Sequence, residues 1–119
     1  MSMAEKIKHM YGIYIKGDDI KLLVNLVFDY YTDIIDVPNY IAYNIKDYQD
    51  KCDEWLFDES IDHQFWERDE FGKKDVVGIC SEAFVYWLNE FILKNNDEKA
   101  VIVKRNLKKF DSSLPTLFY

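Results

Sequence analysis

The stretch Val37-Pro38-Asn39-Tyr40-Ile41-Ala42-Tyr43-Asn44-Ile45-Lys46-Asp47-Tyr48-Gln49-Asp50-Lys51-Cys52-Asp53-Glu54-Trp55-Leu56 organises the whole chain. Proline has no backbone donor and drives its predecessor out of the α region, so Val37-Pro38-Asn39 ends any helix that arrives there. Tyr40 to Ile45 then reads as a loop or turn. From about Lys46 the spacing predicts a helix with Tyr48, Cys52, Trp55 and Leu56 on one face. Asp47, Asp50 and Glu54 fall on another face, one turn apart.

Working outward toward the N-terminus, Asp18 or Asp19 can cap a helix in which Ile20, Leu23, Val27, Tyr30, Tyr31 and Ile34 recur at helical spacing. Before it, Gly12-Ile13-Tyr14-Ile15-Lys16 is rich in β-formers and predicts a short strand. Ser2-Met3-Ala4-Glu5 has capping-box spacing and predicts a short helix to about His9. In the other direction, residues 58–63 read as a connection and Gln64 to Arg68 as a strand. Asp75 opens the clearest helix, with Val77, Cys80, Phe84, Trp87, Leu88, Phe91 and Ile92 as its apolar stripe. Asn95-Asn96-Asp97 stops it. Ala100-Val101-Ile102-Val103 reads as a buried strand, and the tail from Asn106 to Tyr119 as irregular. Strands separated by helices predict an α/β fold, a small parallel sheet covered by helices.

A chain of 119 residues fits one domain, expected to span 1–119. Apolar residues make up 49% and charged residues 31%, enough for both a packed interior and a soluble surface. The 17% aromatic content excludes a solvated, unfolded chain. No apolar run nears the ~20 residues that span a bilayer, and no charged-then-apolar leader opens the chain, so a cytoplasmic protein is expected.

The net charge is −7, and it is uneven. Residues 18–75 hold sixteen acids against six bases, whereas both flanks are slightly basic. Between Asp50 and Glu70 nine acids surround Trp55, Phe57, Phe65 and Trp66. Such a surface repels nucleic acid and anionic membrane and attracts basic partners. Aromatic anchors among steering carboxylates suit a basic groove on another protein. The plainer reading is a solvated acidic face above core aromatics.

Catalytic motifs are absent from the sequence. There is no glycine-rich phosphate cradle, and His9 and His63 match no zinc spacing with Cys52 or Cys80. The cysteines form no CxxC pair and fall at apolar helical positions, where cysteine behaves as a small hydrophobe. Asp62-His63 could be an acid–imidazole pair, but without a placed nucleophile a loop contact is the better reading. No cofactor, metal site or enzymatic activity is expected.

The run Pro38 to Asp50, and on to Trp55, resembles the proline–tyrosine loop and acidic inhibitory helix of the barstar family. Pro38, Tyr40, Asn44, Asp50 and Trp55 match without a gap, with Ile45 in place of leucine. Ile13 to Lys16, Gly17 and Ile20 resemble the family's first strand and turn. Trp66 resembles its middle-strand tryptophan, and Leu88-Asn89-Glu90 with Ala100 to Val103 its last helix and strand. The likeness covers about residues 12–104. Lys46 departs from it, standing where the family usually presents an acid.

The resemblance implies a three-stranded parallel sheet packed by helices, and an inhibitor that plugs a ribonuclease active site. In that role Asp50 is the central phosphate mimic, with Asp47 and Glu54 beside it. Tyr40 and Trp55 are flanking anchors, Asn44 lies in the matched loop, and Glu90 is a rim contact. The expected partner is a cognate nuclease toxin with a basic surface, bound 1:1 by a monomer, with no direct nucleic acid or membrane contact. A competing reading is an acidic nucleic-acid mimic that occupies a nucleic-acid-binding protein. A third is a subunit whose aromatic ends, including Leu117-Phe118-Tyr119, are buried by a partner.

Overall fold

Residues 20–119 are described by the computed structural model. The expected helix to His9 and strand Gly12–Lys16 lie outside the described residues. Where the helical spacing from Ile20 to Ile34 predicted a helix, the chain instead forms a β-hairpin. Strand β1 (Lys21–Val27) pairs antiparallel with β2 (Thr32–Pro38), with Leu22 opposite Val37, Val24 opposite Ile35 and Leu26 opposite Asp33. The segment supports both periods because ten of its fifteen positions are apolar. The two-residue period wins: Val24, Leu26, Ile35 and Val37 are the residues packed into the core. Phe28 N–H bonds Tyr31 O at 2.9 Å across the turn, leaving Asp29 and Tyr30 outside.

Strand β2 runs directly into two helices. Pro38 closes the strand and caps a short helix, α1 (Asn39–Tyr43), in the stretch read from sequence as a loop. A missing N–H costs nothing just before a helix, so the proline that ends one element starts the next. Asn44 separates α1 from α2 (Ile45–Leu56) and its Nδ2 donates back to Tyr40 O at 2.9 Å. In α2 the buried residues are Ile45, Gln49, Cys52 and Leu56, spaced as one helical stripe. Tyr48 and Trp55 sit half-buried at its margin.

The connection at 58–63 is as expected, and the strand that follows is shorter: β3 (Trp66–Arg68). It pairs with a strand not foreseen, β4 (Lys74–Val77), where the sequence predicted the start of a helix at Asp75. Gly72, at φ +77°, makes the turn, and the Asp69 carboxylate accepts from Phe71 and Lys73 N–H. Helix α3 (Ser81–Trp87) therefore begins six residues later than Asp75 and continues into a wide turn, Leu88–Ile92, closed by Leu93 N–H to Leu88 O at 2.7 Å. Phe84, Trp87 and Leu88 of the expected stripe are buried, whereas Phe91 is 55% exposed.

Strand β5 (Val101–Leu107) joins β2 antiparallel and β6 (Thr116–Phe118) joins β1 in parallel, giving the order β5-β2-β1-β6. The sheet is thus mixed and four-stranded among the described residues, rather than three parallel strands. Val101 and Val103, expected to be buried, share the outward face of β5 and stand exposed, while Ala100 and Ile102 alternate toward the core. The tail is also not irregular throughout.

Two buried polar residues hold these outer strands. Asp33 accepts from Ser81 Oγ at 2.6 Å and from Asn106 N–H at 3.0 Å, fixing the left-handed Asn106 (φ 58°) where β5 slips register. Asn25 donates to Asp111 O at 2.7 Å and Thr116 Oγ1 at 3.0 Å, and accepts from Asp111 N–H at 3.3 Å. It ties the loop before β6 to the middle of β1.

Candidate functional site

Helix α2 fixes the geometry. Its core stripe lies opposite the direction of Asp47, Asp50 and Glu54, so burying one face necessarily presents the other. All three carboxylates are exposed. Asp47 and Glu54 make no ion pair among the described residues, whereas Asp50 is held by Lys46 Nζ at 3.0 Å. The lysine that departs from the expected acidic pattern thus partly neutralises the carboxylate assigned the central role.

The remaining expected contacts are not gathered on this crest. Tyr40 packs against the core, and its hydroxyl accepts from Asn96 Nδ2 at 2.8 Å. Asn44 is spent on the Tyr40 carbonyl. Glu90 is exposed in the wide turn after α3, next to Phe91. Trp55 lies on one flank of α2 among other rings, stacked on His63 at 4.4 Å and tilted toward Phe91 at 5.5 Å and Tyr86 at 6.0 Å.

That flank carries a cleft of about 580 Å³ lined by Trp55, Trp66, Tyr86, Phe91 and the Asp62–Arg68 pair. Its charged groups and several of its other polar groups are already partnered. Trp66 Nε1–H reaches Ile61 O at 2.8 Å, and Lys74 lies over the Trp66 ring at 5.5 Å. His63, only 8% exposed, accepts from Phe65 N–H at Nδ1 (3.1 Å). The proton is then on Nε2, which donates to Leu56 O at 2.8 Å. His63 is therefore a structural bridge and no partner of Asp62, which pairs with Arg68 and with Lys74 at 3.8 Å.

The opposite flank carries a second cavity, about 530 Å³, that the sequence reading did not anticipate. Phe28 is the middle of a three-ring stack, with Tyr31 at 4.9 Å and Tyr119 at 4.7 Å. Lys46, Gln49 and Asp53 of α2 line the same cavity, with Asp29, Tyr30, Ile79 and Phe118. Lys46 Nζ is turned to Gln49 Oε1 at 3.0 Å and to Asp50. The Asp53 carboxylate makes no hydrogen bond or ion pair among the described residues. Burial raises its pKa above the ordinary carboxylate value; Lys46 opposes the rise and Asp50 adds to it. Tyr119 is raised as well, first by burial and then by the nearby Cys52 and Asp53.

Leu117 is buried within the chain itself, and Tyr119 largely so, whereas Phe118 is 64% exposed. Phe118 and Tyr30, at 94%, rim the cavity with uncovered aromatic surface. The sequence predicts an irregular tail from Asn106 to Tyr119, and nothing local indicates the strand Thr116–Phe118 or its pairing with β1. Among the described residues no three potential ligands converge on a metal site, and no helix is long and apolar enough to cross a membrane.

No family model, no curated protein and no solved structure matches the chain.

Proposed function

We propose that this protein is an immunity protein, a non-enzymatic antitoxin whose α2 crest enters the basic active site of a nuclease toxin, most naturally a ribonuclease. The observation that carries the reading is the crest itself: Asp47, Asp50 and Glu54 are exposed on a helix whose opposite face is locked into the core. A nuclease groove is basic because it holds a phosphate backbone, and fixed carboxylates can occupy phosphate positions through charge-assisted hydrogen bonds. From Asp47 to Glu54 the crest rises only about 10 Å along the axis, a length suited to one active-site cleft rather than a tract of duplex. The surrounding negative charge would speed encounter.

Kinship with barstars is part of the proposal and rests on the run Pro38–Trp55, which forms the end of β2, the two helices and the joint between them. What is carried over is the inhibitory helix. The parallel three-stranded sheet is not, since β1 and β2 are antiparallel. Trp55 keeps its place beside the crest as packing rather than as a free anchor. Cytoplasmic action and a 1:1 complex follow from the same role.

Co-expression with the product of the adjacent upstream reading frame tests this. Growth arrest by the neighbour alone, rescue by this protein and a stoichiometric complex are the expected results. A harmless neighbour that forms no complex overturns the reading and favours the nucleic-acid mimic.

A further inference from the structure

The cavity beside β6 shares aromatic walls and a similar volume with the Trp55 cleft but differs from it in its carboxylates. Its walls are aromatic, its volume is in the range of ligand pockets, and neither Asp29 nor Asp53 forms an ion pair among the described residues. Asp53 faces this space from α2, and the exposed Asp29 lines it from the hairpin turn. The single base in the lining, Lys46, is engaged by Asp50 and Gln49. Tyr30 and Phe118 extend the apolar surface outward, further than isolated exposed residues would.

These features select a chemistry. An ammonium is compact and strongly hydrated, and gains little from flat walls. A guanidinium is planar: it stacks on ring faces while its edge donates to a carboxylate. A neutral aromatic ligand would use the walls but leave Asp53 unpaired in a partly desolvated place. The geometry points to an arginine side chain of a basic protein partner, seated between the Phe28–Tyr31–Tyr119 stack and Asp53. The inference rests on the proposed function in that the partner is the same basic protein. It adds a second contact, on the flank of α2 away from Trp55, that the crest alone does not provide.

The test uses the full chain and N-acetyl-arginine methylamide as probe, followed by amide chemical shifts. Saturable shifts in the millimolar range, centred on Tyr31, Gln49, Asp53 and Tyr119, are expected, with the lysine analogue weaker. Asp53→Asn, nearly isosteric, should weaken the probe about tenfold. Lys46→Met should tighten it about twofold to threefold by removing the competing positive charge. Absent shifts, an equal response to the lysine analogue, or an unchanged Asp53→Asn affinity overturns the inference. If a captured toxin loses affinity for a crest variant but binds Asp53→Asn as well as wild type, the pocket assignment alone falls. If the probe binds as described while the neighbouring gene product does not bind at all, the pocket stands and the immunity reading falls.

Discussion

The two flanks of α2 are both aromatic and carry clefts of similar volume, yet differ in how far their polar groups are satisfied. On the Trp55 side both nitrogens of His63, the Trp66 indole, and Asp62 with Arg68 and Lys74 have partners within the chain. On the Tyr119 side the Asp53 carboxylate has none among the described residues, and two large rings face solvent. Aromatic content is therefore a poor guide to function, because the same residues make a satellite core when their polar edges are paired. An unpaired carboxylate beside bare rings is the feature that motivates the proposed arginine contact.

Breaking the Trp55 side should cost the most stability. Trp55→Ala removes a ring that packs on His63, Phe65, Tyr86 and Phe91, and should destabilise the fold by about 2–4 kcal/mol in urea unfolding. A change below about 0.5 kcal/mol would mean that the cluster is loose and available to a partner after all. Next comes Asn25→Ala, which removes the buried amide that holds the Asp111 backbone and the Thr116 hydroxyl and should cost about 1–3 kcal/mol. Hydrogen exchange should show protection lost at Leu117 and Phe118 but kept at Trp55. Equal loss on both flanks would show that they do not fold as separable units.

Alkaline pH sharpens the same contrast. Burial pushes the Cys52 thiol from its ordinary 9.0 up to about 12, and raises Tyr119 above its ordinary 10.0. Both groups are held neutral in the folded state and ionise more easily once unfolded. Their stabilising effect is whole below pH 9 and is lost as pH rises toward 12. Urea midpoints should fall steadily above pH 9, and less steeply between pH 9 and 10 in Cys52→Ala. Flat midpoints across that range would contradict the burial of this side of α2. The smallest effect is expected from Lys46→Met, within about 0.5 kcal/mol, since its pair with Asp50 is an exposed one.

How much of this could be read from the sequence depends on how local its cause is. Helix α2, its acidic crest and the burial of Cys52 and Leu56 follow from spacing alone, because a single helix fixes which residues share a face. The hairpin at 21–38 was misread because Leu22, Val24 and Leu26 satisfy a strand while Ile20, Leu23 and Val27 satisfy a helix. Only pairing with β5 and β6, distant in sequence, decides between them. Asp53 was passed over for the same reason. It lies off the crest defined by Asp47, Asp50 and Glu54, and it acquires meaning only when Phe28, Tyr31 and Tyr119 arrive from both ends of the described chain. Asp75 opened a plausible helix, but Val76-Val77-Gly78 favours a strand, and Gly78 N–H is taken by Phe65 O at 2.7 Å.

The central claim is that the α2 crest makes the contact with the toxin. Its most direct test is the association of the purified toxin with the triple variant Asp47→Asn, Asp50→Asn, Glu54→Gln, against wild type, at low and high salt. The account predicts unchanged folding, an affinity lower by about a hundredfold or more, and an association rate that falls with salt in wild type far more than in the variant. Equal affinities and equal salt dependence would contradict it and move the interface off this helix face.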